Sequence, residues 1–153
     1  MLEIPVALLR LNYAVELRYG VLLDLAQQVH NNQPIDLSMG YVNVIWQGDA
    51  NAMALEAVSD TSTPPYVVNV AGPELLRVRD VCERFASAFG KEVRFGGVES
   101  DTAYLANADK SYAAYGRPRF SVDQLIDWVA DWVRRGGPTL GKRTHFQVRD
   151  GRS

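Results

Sequence analysis

The chain has 153 residues, 47% of them apolar and 22% charged, with a formal net charge of −2. That is the size and balance of one soluble globular domain, and so small a charge gives no pull toward nucleic acid or an anionic membrane, neither of which is expected as a partner. The single cysteine excludes an internal disulfide, no apolar run is long enough for a membrane span, and the acidic opening MLEIPVALLRLN is unlike a secretory leader, so a cytoplasmic protein is expected.

Residues 5–11 read as an apolar strand with almost no lead-in, as though the chain began inside a sheet; the strand itself is placed at 8–12. A helix follows over Val21–His30, with Leu22, Leu25, Ala26 and Val29 on one face. The polar run Asn31, Asn32, Gln33 and Pro34 stops it. A short strand is expected at 35–37.

Residues 41–58, YVNVIWQGDANAMALEAV, are the joint on which the rest is organised. Val42, Val44, Ile45 and Trp46 suit a buried strand. Gln47 and Gly48 break it, Asp49 is expected as a helix N-cap, and Met53, Ala54, Ala57 and Val58 return at helical spacing. SDTSTPP at 59–65 is a surface loop. Tyr66–Val70 is a second strand, closed by the turn at Ala71, Gly72 and Pro73.

The next helix, Val78–Phe89, carries Val78, Val81, Cys82, Phe85, Ala88 and Phe89 on one stripe and ends at Gly90. A short strand at 93–95 and a brief helix at Asp109–Tyr115 follow. Ser121 and Gln124 then form a capping-box pattern, with Phe120 and Leu125 spaced as a hydrophobic staple, ahead of a helix through Ile126, Val129, Trp132 and Val133. No repeat or linker divides the chain: residues 1–135 are assigned to one α/β domain and 136–153 to a basic surface tail.

The series strand, R-L-N, helix, strand, helix, Y-V-V-N-V-A-G-P-E, amphipathic helix, A-D-K and S-V-D-Q-L-I-D-W resembles the C-terminal half of NAD-dependent epimerases and dehydratases, the extended short-chain dehydrogenase/reductase family. LLRLNYAVE at 8–16 looks like the sixth Rossmann strand and its following turn. Residues 43–58 resemble the segment in which a strand ends in aspartate before a helix. YVVNVAGPE at 66–74 resembles the asparagine–valine–glycine strand, and NADKSYAAYG at 107–116 the segment in which a lysine precedes a helix. The resemblance implies a partial Rossmann-like α/β fold, the C-terminal substrate-binding part of such an enzyme.

In that family the first half does the chemistry, with a glycine-rich turn for the dinucleotide and a Tyr-x-x-x-Lys pair for proton transfer. Neither stands in this sequence. The residues four positions after the seven tyrosines are Leu17, Leu23, Ile45, Val70, Ala108, Gly116 and Arg119. These 153 residues are therefore expected to be catalytically incomplete, with no catalytic residue, NAD or NADP belonging to the full-length relative, and no cofactor bound by this chain alone. The arginines with which many members clamp a diphosphate fall at Val42 and Val98, so a typical nucleotide sugar is not the expected substrate.

Asn12 and Tyr13 follow the sixth-strand position, where relatives line the nicotinamide and substrate; they are the candidate cofactor-side residues. Asn12, Arg18 and Tyr19 are the candidate substrate contacts, for a small polar or sugar-like molecule. Arg10 is expected to be structural, paired with a carboxylate such as Asp49. Trp46 and the stripe Phe120, Trp128 and Trp132 are assigned to the core, and Cys82 to a buried, inert thiol. GGPTLGK at 136–142 matches a phosphate-loop spacing by chance, since a helix precedes it and Arg143 follows the lysine. His30 and His145 lack ligand spacing for a metal. Half a protein exposes the surface its other half should cover, so a homo-oligomer or a missing N-terminal half is expected. Three readings follow: a truncated epimerase/dehydratase-like protein, a stand-alone binding or oligomerisation module, or one subunit completed in trans by a dinucleotide-binding chain.

Overall fold

The computed structural model describes residues 4–100 and 102–148. The expectations for residues 1–3 and 149–153 lie outside the described residues. The longest ladder joins β1 (Ala7–Leu11) to β6 (Tyr66–Val70) in parallel, in register from Ala7 opposite Tyr66 to Leu11 opposite Val70. Three short pairings extend this framework. β2 (Ala14–Val15) runs parallel to β5 (Ile45–Trp46), and β3 (Ile35–Asp36) parallel to β8 (Phe95–Gly96). β4 (Tyr41–Val42) lies antiparallel to β7 (Leu76–Arg77). The α/β class expected from the sequence is the class observed.

Three helices carry most of the core. α1 (Val21–His30), α3 (Val78–Phe89) and α5 (Val122–Arg134) pack on one another and bury Leu22, Leu25, Phe85, Leu125 and Val129 almost completely. Their boundaries follow their signals. α5 starts at the capping box, with both the Ser121 side chain and the Gln124 side chain engaged. α3 ends at Gly90, whose φ of 63° is a left-handed conformation that glycine adopts without cost. A smaller cluster gathers Ile45, Ala50, Met53 and Val70 with Leu9 under α2 (Gln47–Glu56) and α4 (Asp109–Tyr115). A 3₁₀ turn at Ala57–Asp60 continues α2.

The joint at residues 41–58 differs from its sequence reading. The chain there makes two short pairings instead of one strand, and α2 starts at Gln47, two residues before Asp49. Trp46 occupies the N-cap and makes no side-chain cap. Asp49 is instead buried, and its Oδ2 accepts hydrogen bonds from the backbone N–H groups of Arg119 (3.1 Å) and Phe120 (3.3 Å). A carboxylate already inside the first helical turn favours the positive helix end, and here it also anchors the approach to α5. Arg10 is exposed on β1, and no ion pair among the described residues joins it to Asp49. Phe120 sets its ring against Trp46 and Trp128, with centroids 6.4 and 5.1 Å away, and stays partly exposed.

The segment after α5 is tied back at several points. Leu140 N–H donates to the Arg18 carbonyl, Trp132 Nε1–H to the Pro138 carbonyl, and Thr144 N–H and Oγ1–H both donate to Asp24 Oδ2 at 2.7 Å. Phe146 is buried in the helical core. A Cβ on Gly137 would meet the Trp132 ring at 2.2 Å, so Gly137 of GGPTLGK serves packing, while Gly136 turns the chain with a φ of 67°.

Candidate functional site

Both candidate cavities open beyond the carboxyl ends of parallel strands, the position at which open α/β sheets take their ligands. The first, about 290 Å³, lies past the end of β6 and is lined by Asn43, Gly72, Glu74, Leu105, Asp109 and Tyr112, among others. The second, about 400 Å³, lies past the ends of β1 and β5 and is lined by Tyr13, Tyr19, Gln47, Ala50, Asn51 and Thr144, with Leu11, Ala14, Gly20 and Val21.

Asn43 builds the wall of the first cavity. It is a buried amide in an otherwise apolar run, and such a group must be fully bonded. Its Nδ2 donates to the Gly72 carbonyl (3.1 Å) and the Ala106 carbonyl (2.8 Å), while its Oδ1 accepts from Asn12 Nδ2 at 2.7 Å. One side chain thus ties the ends of β1 and β6 to the 104–108 segment. Gly72 is indispensable there, because an added Cβ would lie 1.7 Å from the Val44 carbonyl oxygen. Tyr112 completes the wall. Its hydroxyl donates to the Ala71 carbonyl at 2.6 Å, and burial pushes its pKa up, so it keeps its proton at neutral pH.

The sequence candidates divide between these places. Asn12 serves the first cavity through Asn43, and its Nδ2 also reaches the Tyr104 carbonyl at 3.5 Å. Tyr13 and Tyr19 line the second cavity. Tyr13 has φ of 41°, an unusual conformation for an aromatic residue, and its carbonyl accepts from Ile45 N–H. Arg18 lines neither cavity described: its guanidinium pairs with Glu16 at 3.1 Å and is half exposed. Sequence reasoning missed Asn43, Gln47, Asn51 and Tyr112. Of these, Asn43 carried a signal, as an amide inside an apolar strand-like run.

Neither cavity has lysine or arginine in its wall, and Glu74 and Asp109 place carboxylates on the first. Val42 is buried in β4 and Val98 is exposed in a loop, so neither proposed clamp position supplies a cation. Lys110 is engaged elsewhere, donating to the Val67 carbonyl at 2.6 Å with its ammonium 3.8 Å from the Tyr66 ring centroid. No group of three or more potential metal ligands gathers among the described residues, and none of their helices is long and apolar enough to cross a membrane.

No protein-family model and no curated protein matches this sequence. Solved structures do match in fold. The UDP-glucuronic acid 4-epimerase from Bacillus cereus, in complex with UDP-glucuronic acid and NAD, aligns with 86% of this chain at a TM-score of 0.69 and 16% identity, over 46% of its own length. The Bordetella bronchiseptica enzyme WbmG, in complex with NAD and UDP, aligns with 93% of this chain at a TM-score of 0.70 and 18% identity, over 47% of its length. The dTDP-glucose 4,6-dehydratase from Bacillus anthracis, in complex with NAD, aligns with 83% at a TM-score of 0.66 and 14% identity, over 44% of its length. The chain has the fold of part of an NAD-dependent epimerase/dehydratase. It spans just under half the length of these structures.

The residues present do not fit a dinucleotide. A pyrophosphate needs glycine amides open at a strand-to-helix turn. At the β5–α2 turn the Trp46 ring lies against Gly48, 2.7 Å from where its Cβ would stand, and Asp49 adds a buried carboxylate in the same helical turn. At the β7–α3 turn the residues are Leu76, Arg77 and Val78, with no glycine. Before α1, Gly20 is buried with φ of 130°, and its α-carbon faces Val15.

Proposed function

We propose that these 153 residues are the substrate-binding portion of an epimerase/dehydratase-like protein, whose dinucleotide site and proton-transfer pair lie outside them. The observation that carries the reading is the fold match to just under half of several NAD-bound enzymes, in a chain whose own strand-to-helix turns do not fit a dinucleotide. The ligand is a small, uncharged, polar or sugar-like molecule, held past the ends of β1, β5 and β6. Tyr13, Tyr19, Gln47 and Asn51 supply hydrogen bonds from the second cavity, and the Asn12–Asn43 pair fixes the strand ends around the first. The parent reaction is a reversible hydride transfer between such a molecule and NAD(P), with the cofactor carried by the missing half. Of the coverings expected from the sequence, a second copy or that missing half, the second is the one proposed.

Ligand-observed NMR with free hexoses, uridine and the corresponding UDP-hexoses tests the ligand class. Free sugars should show contacts that Tyr13→Phe and Tyr19→Phe weaken, with UDP-sugars bound no more tightly, because nothing in the cavity walls neutralises a diphosphate. A UDP-sugar bound tenfold or more above its free sugar would contradict the reading.

A further inference from the structure

The second cavity takes part of its wall from the segment after α5. Its other described lining residues belong to the stretch from the end of β1 to the start of α1 and to α2, none later than Asn51. Thr144 reaches the cavity from far along the chain, and it is held there between two anchors. On one side Leu140 N–H donates to the Arg18 carbonyl at 3.0 Å, and on the other Phe146 is buried in the helical core. His145 turns the chain between Thr144 and Phe146 with φ of 50°, a left-handed conformation that persists only where the surroundings fix it. Val148 N–H closes that turn on the His145 carbonyl at 2.9 Å.

The central tie is to Asp24. This carboxylate is buried in the first turn of α1, between Leu23 and Leu25, and no ion pair among the described residues includes it. A buried carboxylate is costly unless hydrogen bonds satisfy it. Thr144 gives two to the same oxygen, from its N–H and from its hydroxyl, each at 2.7 Å. Bonds of this charge-assisted kind are strong, and they set more than the place of Thr144. They commit the only hydrogen of its hydroxyl to Asp24. The Thr144 side chain has left for the cavity an oxygen that accepts and a methyl group that packs. The Tyr19 hydroxyl and the Gln47 and Asn51 amides can donate or accept, so each of those suits more than one kind of ligand group.

We propose that Thr144 is a specificity-determining residue of the second cavity: its Oγ1 accepts a hydrogen bond from one hydroxyl of the sugar-like ligand, and Asp24 is the positioning residue that fixes its direction. The inference rests on the proposed function and adds to it the selection of a particular ligand group. A hydroxyl facing Thr144 is bound. A carbonyl or carboxylate at the same place meets a second acceptor and is refused. The segment after α5 is then part of the site, and the alcohol form of the ligand is preferred at that carbon.

Ligand-observed NMR with glucose, galactose and their monodeoxy forms tests this on the unaltered chain and three variants. In the unaltered chain at least one deoxy form should bind about fivefold more weakly than its parent sugar. Thr144→Val, which keeps the methyl group but not the oxygen, should weaken the parent by about the same factor and leave that deoxy form unaffected. Thr144→Ser, which keeps the oxygen, should restore the preference. Circular dichroism checks the fold of each variant, and Thr144→Ala, which keeps the backbone bond to Asp24, carries the same expectation if Thr144→Val does not fold. Equal binding of every deoxy form by the unaltered chain would overturn the inference without any variant. A loss in Thr144→Ser as large as in Thr144→Val would also overturn it, because the contact would then be packing of the methyl group. Sugar binding that Tyr19→Phe weakens and Thr144→Val does not would overturn the role of Thr144 and leave the proposed function standing. No sugar contact at all in the unaltered chain would remove the ligand class and this inference with it.

Discussion

The helical layer and the β1–β6 layer follow opposite rules. Around Phe85, the side chains of Leu22, Leu25, Leu125, Ile126 and Val129 are buried, Phe89, Trp128 and Trp132 pack against them partly covered, and Cys82 is sealed among them. On β1 and its flank, Leu8, Leu11, Leu55 and Val58 are left 47–75% exposed. A chain that packs one layer so completely has the composition to pack the other. The contrast separates the two layers: the three-helix side closes over its core, whereas the β1 side leaves large apolar side chains at the surface.

The contrast is broken or sharpened most strongly by truncating one residue in each layer. Phe85→Ala should cost about 3–5 kcal/mol, because it empties the centre of the three-helix core. Leu8→Ala should cost less than about 0.5 kcal/mol in the chain alone. Urea unfolding of the two variants checks the pair, and similar losses would erase the distinction between the layers.

Asn43→Ala comes next. It strands the Gly72 and Ala106 carbonyls and frees the Asn12 amide, at a cost of about 1–3 kcal/mol by the same unfolding measurement. Ser121→Ala should cost about 0.5–2 kcal/mol by removing the cap of α5. Asp49→Ala falls in a similar range, through the lost acceptor for Arg119 and Phe120 and not through an N-cap of α2.

The smallest structural effect but the clearest signal comes from Cys82. Burial pushes its thiol pKa up to about 12, well above that of a free cysteine. At pH 8 the folded protein should therefore react with a thiol reagent far more slowly than the urea-unfolded chain, as followed by absorbance. Equal rates would mean that the α3 stripe opens readily to solvent.

Much of this fold was legible in the sequence where the signals were periodic. α1, α3 and α4 lie at Val21–His30, Val78–Phe89 and Asp109–Tyr115 as read, because each presents a stripe or a defined stop. The capping box set the start of α5. β5 and half of β4 fall on the strand read through Val42, Val44, Ile45 and Trp46. Its division into two pairings, and β7, were not legible, since two residues carry no period and their partners are distant in sequence. Asp49 misled for a related reason. Its residue type suits an N-cap, but its actual partners are amides 70 and 71 positions away. The site was legible in outline only. The end of β1 drew attention to Asn12 and Tyr13, whereas Asn43, which joins Asn12 to two distant carbonyls, and Gln47 and Asn51 on α2 become neighbours only once the strands pair.

The claim that this chain holds no dinucleotide site of its own is tested most directly by isothermal titration calorimetry with NAD⁺ and NADH. The account predicts no detectable heat of binding to the purified 153-residue chain at millimolar cofactor. Micromolar binding would show that the chain builds a cofactor site by itself, and it would contradict the assignment of the dinucleotide to a missing half.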